Sequence, residues 1–233
     1  MPKIIFTKVK DFFISPEYYP APSKKYLPNW YKNIDSYLSD KPKGLVAGQP
    51  SATIKKCIPV FDVLTSGYTI TTFQDFYIQK EEEGIIITAS NNTSTLDWHS
   101  HKQFTDHPYS MQTEGAPKFI NPWSIKTPKG YSCLFINPVH GANRYFTIFE
   151  GIVDTDEYRS PVNFPFTLKD KNFEGLIPAG TPIVQVIPFK REKWKMKEGG
   201  KAEILEASQS HGKLRSVFYE GYKKFFWSNK SFD

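Results

Sequence analysis

Between residues 67 and 190 the chain is a succession of short segments in which β-branched and aromatic residues alternate with others, and Gly, Pro or Asn stands between the segments. GYTITTFQDFYIQ reads as one strand or a bent pair, EEEG as a turn and GIIITAS as the next strand. KGYSCLFINP, NRYFTIFEGIVD, SPVNFPFTL and TPIVQVIPF continue the pattern. A period of two sends successive side chains to opposite faces, so such segments bury one face and wet the other. Several of them with turn residues between predict a mainly-β core, a sandwich or closed barrel. Aromatic residues make up 16% of the 233, with 19 Phe and 13 Tyr, enough bulk to fill such a core and to exclude a disordered chain.

The ends read differently. Prolines 16, 20, 22, 28, 42 and 50 break residues 1–51 into an irregular arm. One short helix is expected there at LPNWYKNIDSYL, where Trp30, Ile34 and Leu38 recur four apart. The change to period two is placed at about residue 52, which gives a β core domain over 52–192. KREKWKMKEGGK leaves the last strand as a charged linker, with Gly199-Gly200 as its boundary. Within 193–233 the spacing of Leu214, Val217, Phe218, Tyr222, Phe225 and Phe226 predicts one helix packed on the core.

The net charge is +6 and the lysines are spread along the chain, so a nucleic acid is not the expected partner. Cys57 and Cys133 stand far apart and outside any metal-type spacing, and read as reduced, buried thiols. No apolar run reaches the length of a membrane span, and the first residues lack a leader pattern. The expectation is a cytoplasmic protein with no membrane partner, able to form a homo-oligomer.

Two clusters carry candidate chemistry. In GIVDTDEYRSPVNFPF, Asp154, Asp156 and Glu157 crowd one turn, and Arg159 follows. Crowded carboxylates repel, which raises a pKa toward general-base work or clamps a magnesium-bound water. Arg159 can neutralise a neighbour or hold a phosphate. The same residues also suit a solvated turn leading into a core strand, with Val162, Phe164 and Phe166 facing inward. In DWHSHKQFTDHPY, His99 and His101 share one face of a strand, and His107 follows beside Asp106. Imidazoles with a carboxylate suit zinc or iron(II), as in a cupin-like enzyme. Packing in a polar loop is the competing reading. The aromatics Trp98, Phe104, Tyr109, Phe119, Trp123 and Tyr131 either line a pocket or pack the core. Ser132 and Cys133 lack a paired base at any recognisable spacing, and no P-loop or dinucleotide fingerprint occurs.

Residues 124–190 resemble the superfamily of deoxyuridine triphosphatase and deoxycytidine-triphosphate deaminase. The matching pieces are Gly130-Tyr131, the turn from Gly151 to Arg159, and the strand from Gly180 to Gln185. The resemblance implies a β-clip fold. It also implies that Asp154 or Asp156 positions an attacking water, that Tyr158 packs on a base or sugar, and that Gln185 belongs to the closing strand. His140, Arg144 and the amides around Gly141 stand where that superfamily binds phosphate, although its Arg-Ser pair is missing there and Glu157 is extra.

Over most of its length the chain is also similar to a family of bacterial and tailed-phage proteins of unknown function, marine cyanophage-like members among them. The landmarks are LPNWY, IKKCIPVFDVLTSGY, KFINPWSIKTPKGYSCLF, VDTDEYRSPVNFPF and GTPIVQVIPFKREKW. This implies a phage-encoded protein at work in the host cytoplasm. Three function classes stay open. One is a nucleotide-like small-molecule site with magnesium. Another is a non-catalytic structural or host-interaction protein. The third is an iron or zinc enzyme built on the His-x-His.

Overall fold

Alternation becomes strand wherever one face can be covered, and a computed structural model of the chain shows which segments achieve it. It describes residues 1–38, 45–46, 49–82, 84–91, 93–104, 107–108, 115–217 and 219–233. The strands in chain order are β1 (Ile5–Lys8), β2 (Ala21–Pro22), β3 (Leu45–Val46), β4 (Gln49–Pro50), β5 (Tyr68–Thr71), β6 (Phe76–Glu81), β7 (Gly84–Ala89) and β8 (Leu96–Ser100). They continue as β9 (Gly115–Phe119), β10 (Trp123–Lys126), β11 (Tyr131–Ile136), β12 (Phe146–Ile148), β13 (Gly151–Val153), β14 (Phe164–Leu168), β15 (Gly175–Ile177) and β16 (Pro182–Lys190). The helices are α1 (Asn29–Asn33), α2 (Ile58–Thr65), α3 (Lys201–Arg215) and α4 (Gly221–Phe225). The fold is mainly β, as the alternation predicts, and among the described residues every strand pairing is antiparallel.

The chain divides into two units, one of residues 1–26 and 67–191, the other of 27–66 and 192–233. The expected boundaries stood at 51/52 and 192/193, and the second falls within one residue of the break after Arg191. Two expected features fail at the first break. The arm is not wholly irregular, because β1 pairs with β10 and β2 with β5. Residues 58–65 form α2 instead of opening the β core, since Pro59 in the first turn is pre-set for a helix.

In the first unit a five-stranded sheet runs β13-β11-β16-β5-β2, and a four-stranded sheet runs β12-β14-β9-β8. They share one core. Phe119 stacks on Phe166 at 4.1 Å, and Phe135 of the first sheet meets Phe164 of the second at 6.0 Å. Phe146, Phe166, Val184 and Val186 are fully buried. GYTITTFQDFYIQ is the bent pair: β5 stays in the five-stranded sheet, while β6 joins a third sheet of order β15-β6-β7. Pro188 lies in β16 but past the end of its pairing with β5, which spans Pro182 to Val186, so its missing N–H costs no rung there.

In the second unit the expected N-terminal helix is cut short. Ile34 caps α1 in an extended conformation, and Leu38 is 67% exposed. The predicted C-terminal helix is two helices, because Glu220 adopts a left-handed backbone (φ 56°) between α3 and α4. Phe218 lies outside the described residues. At the start of α3 the Glu203 carboxylate accepts from the Gly200 N–H at 2.8 Å, as an N-terminal cap requires. The two chain segments of this unit are fastened together. Lys56 pairs with Glu220 at 2.9 Å, and Asp62 on α2 accepts from Trp227 Nε1 and from Lys230 Nζ. Cys57, expected to be buried, is exposed at the cap of α2, while Cys133 is buried in β11 as expected.

Candidate functional site

The acidic turn is built on β13. Beyond Val153 the chain folds back, and the Asp154 carbonyl accepts from the amides of Glu157 and Tyr158 at 3.0 and 2.8 Å. Arg159 closes the turn by donating to the carbonyls of Thr155, at 2.8 Å, and of Asp156. Its guanidinium therefore serves the backbone, and Ser124 Oγ anchors its carbonyl at 2.6 Å.

Within the turn the two aspartates have different surroundings. The Asp156 side chain is 2% exposed and that of Asp154 61%. Asp156 receives Arg191 in a two-pronged pair, Nη1 to Oδ1 at 2.7 Å and Nη2 to Oδ2 at 2.5 Å. The Gly130 amide donates to Oδ2 at 2.7 Å. Arg191, with the Gly130 amide adding to it, holds the Asp156 carboxyl down at about 2 against the cost of desolvation. The same guanidinium lies 3.0 Å from Asp154 Oδ1, which also accepts from Ser132 Oγ at 2.6 Å.

Local sequence explains how these groups meet. Pro128-Lys129-Gly130-Tyr131 is a turn with a 3.2 Å bond from the Tyr131 amide to the Pro128 carbonyl, and Gly130 takes φ +84° at its third position, as a type II turn demands. That turn aims the Gly130 N–H at Asp156 and its carbonyl at the Arg191 amide, 2.8 Å away. The pairing of Tyr131 with Lys190 then brings Arg191 beside the turn. Behind it, Thr155 Oγ1 reaches Thr127 Oγ1 at 2.7 Å and Cys133 Sγ at 3.3 Å. Burial pushes the Cys133 thiol up to about 11, so it is a protonated core group at neutral pH.

The other residues expected at a nucleotide site are elsewhere. Gln185 is buried in β16 opposite Ile136, whereas Asp154 bonds Ser132. Four residues of β11 separate those levels, about 13 Å along the strand. His140 and Arg144 follow the far end of β11, both exposed, with His140 in a left-handed turn (φ 54°) and Arg144 against the Tyr145 ring at 5.0 Å. Tyr158 is half exposed and bonds Asp154 only through its amide. Asp154, Asp156, Arg159 and Tyr158 thus meet in one turn, and Gln185, His140 and Arg144 do not join them.

The histidine cluster also disperses. β8 ends at Ser100, so the His101 backbone has left the strand and the two-apart spacing does not act on one sheet face. His99 Nδ1 meets Gln103 Oε1 at 2.9 Å, and the His107 ring stacks on Phe149 at 4.8 Å. The His101 side chain, Asp106 and Tyr109 lie outside the described residues. Among the described residues, no three His, Cys, Asp or Glu side chains are placed to hold a metal ion. Of the aromatics, Phe119 and Trp123 are core residues and Trp98 is 45% exposed. A cavity of about 10 Å³ lies against Ile70, Phe76, Phe119, Phe164, Thr95 and Asn121. It holds about one water, far less than a nucleotide needs.

Arg191, Gly130 and Ser132 complete the acidic cluster; the sequence names Gly130 only as a motif landmark and Ser132 only as a hydroxyl without a base, and does not single out Arg191. Arg191 was visible only as one cation in the charged exit. No protein-family model matches the chain, and no curated protein sequence matches it. Among the described residues no helix is long and apolar enough to cross a membrane.

Proposed function

We propose that the chain is a non-catalytic interaction protein, phage-encoded and acting in the host cytoplasm, that engages a protein partner through its C-terminal segment. One observation carries this reading. The whole stretch 192–215 is exposed, with Trp194 at 88%, Met196 at 97%, Ile204 at 65% and Leu205 at 60%. α3 has 15 residues and buries none of them. Large apolar side chains left in water beside lysines suit a surface that is covered on binding.

The acidic turn supports the same reading from the other side. A general base or magnesium clamp needs a carboxylate free to exchange partners, and Asp156 is held by a guanidinium and an amide. The nucleotide reading further needs Asp154, Gln185 and the phosphate segment on one rim.

A thermal-shift panel tests the proposal. Deoxynucleotides with magnesium, and iron or zinc alone, leave the melting temperature unchanged. A true ligand at a hundred times its Kd would add about 2.7 kcal/mol and move it clearly. A saturable shift with any of them overturns the non-catalytic reading.

A further inference from the structure

The clasp at Arg191 and the cap at Gly200 bound a stretch of chain that nothing holds. The Arg191 amide donates to the Gly130 carbonyl at 2.8 Å and its guanidinium to Asp156. The Gly200 amide donates to Glu203 at 2.8 Å, and α3 begins at Lys201. Between these two points residues 193–199 have no regular structure and all are exposed. Among the described residues, none of the seven makes a hydrogen bond or an ion pair. Other lysines, such as Lys80 in β6, Lys126 in β10 and Lys213 in α3, lie on paired or helical backbone.

An endoprotease takes its substrate as an added strand: several consecutive backbone groups pair with the enzyme and one side chain enters a pocket. Backbone already committed to a sheet or a helix must first open. Residues 193–199 need no such opening, and they offer Lys193, Lys195 and Lys197. Exposed segments of this kind are where chains are nicked.

We infer that residues 193–197 are a processing site for an endoprotease whose specificity pocket carries a carboxylate and so accepts lysine. Water adds across one peptide bond after a lysine. Its oxygen stays on the lysine carbonyl carbon as a new carboxylate, the C–N bond breaks, and its two hydrogens leave with the nitrogen as a new ammonium. Cleavage of Lys195–Met196 parts Trp194 from Met196 and so divides the apolar pair that the interaction reading uses. The inference goes beyond that reading and does not need it.

Two sets of contacts limit what the cut does. The Arg191 side chain is locked on Asp156, so it cannot enter a pocket and the bond after it survives. Beyond the cut the tail keeps its own anchors, because Trp227 and Lys230 donate to Asp62 on α2 and Glu220 pairs with Lys56. The product is a nicked protein whose two pieces stay together.

Limited digestion of the full chain with trypsin, read by intact mass and by size exclusion, tests this. The first cuts fall after Lys193, Lys195 or Lys197, and both pieces elute together. Arg191–Glu192 stays whole until the chain is unfolded in urea. Lys193→Gln, Lys195→Gln and Lys197→Gln together, with the fold checked by circular dichroism, slow the first cut by roughly tenfold or more, because cutting elsewhere waits on local opening. Asp62→Ala with Lys56→Ala lets the C-terminal piece leave after the cut. A first cut at any other bond overturns the inference. So does a triple variant cut as fast as the wild type, or a wild type that sheds its tail on cutting. Each of these results leaves the non-catalytic reading standing, because that reading depends on the ligand panel alone.

Discussion

Arg191 grips both carboxylate oxygens of Asp156, at 2.7 and 2.5 Å, and so ties the residue after the last strand of the first unit to the turn after β13. Its backbone amide bonds the Gly130 carbonyl, and Gly130 in turn donates to Asp156. Each of the three groups therefore satisfies the other two. The most conspicuous acidic turn in the sequence is a structural clasp.

The clasp has a pH signature. The Asp156 carboxyl is held at about 2, below its ordinary 3.8. Its contribution to stability is fully present above the unfolded value and is lost as pH falls from about 4 through 2. Asp156→Asn should lower the melting temperature by several degrees at neutral pH and flatten the decline below pH 4. Asp154→Asn, at an exposed carboxylate, should change the melt little. Thermal melts of both variants between pH 2 and 7 check this.

Two glycines in left-handed conformations should respond differently to alanine. A Cβ on Gly67 (φ +69°) would stand 2.1 Å from the Val186 carbonyl oxygen, whereas one on Gly130 (φ +84°) meets nothing within 4 Å. Gly130→Ala should cost about 1–2 kcal/mol, the backbone penalty alone. Gly67→Ala adds a collision with the backbone of β16 and should cost clearly more. Urea unfolding of the two variants decides it.

Phe166 is fully buried and stacks on Phe119. Phe166→Ala should cost about 3–5 kcal/mol, read as a lower urea midpoint.

The two thiols should separate cleanly. Cys57 is exposed and Cys133 is buried, its thiol pushed up to about 11. A thiol reagent at pH 8 should label one site rapidly, and Cys57→Ser should abolish that fast phase. Cys133 should react only after denaturation.

In the second unit Asp62 holds the tail by accepting from Trp227 Nε1 at 3.1 and 3.0 Å and from Lys230 at 2.9 Å. Asp62→Ala should free the tail, seen as faster amide exchange over 226–233. Lys230→Ala removes one half-exposed ion pair and should cost under about 1 kcal/mol.

The β core was legible because β-branched and aromatic residues recur through its short segments, Phe164 and Phe166 in β14 and Val184 and Val186 in β16, although β16 is buried on both faces from Ile183 to Val186 and so does not alternate. α2 was not, because Ile58, Val60 and Val63 make a short apolar β-branched run that periodicity alone cannot assign. β1 and β2 are edge segments whose partners lie far along the chain. The break between α3 and α4 rests on a left-handed Glu220, which no residue preference announces. The site was half legible. Asp154 and Asp156 stood out, but their difference in burial is set by Arg191, and its place follows from the pairing of Tyr131 with Lys190. Register of that kind is a property of the assembled sheet. The β8 histidines misled because the strand stops at Ser100, one residue before the spacing could act.

Carbon-13 NMR titration of the Asp156 side-chain carboxyl measures the clasp most directly. A midpoint at about 2, lost from Arg191→Gln, is the expected result. A midpoint at or above the ordinary value of 3.8 would mean a carboxylate free of Arg191 and available for chemistry, and would contradict the structural role given to it here.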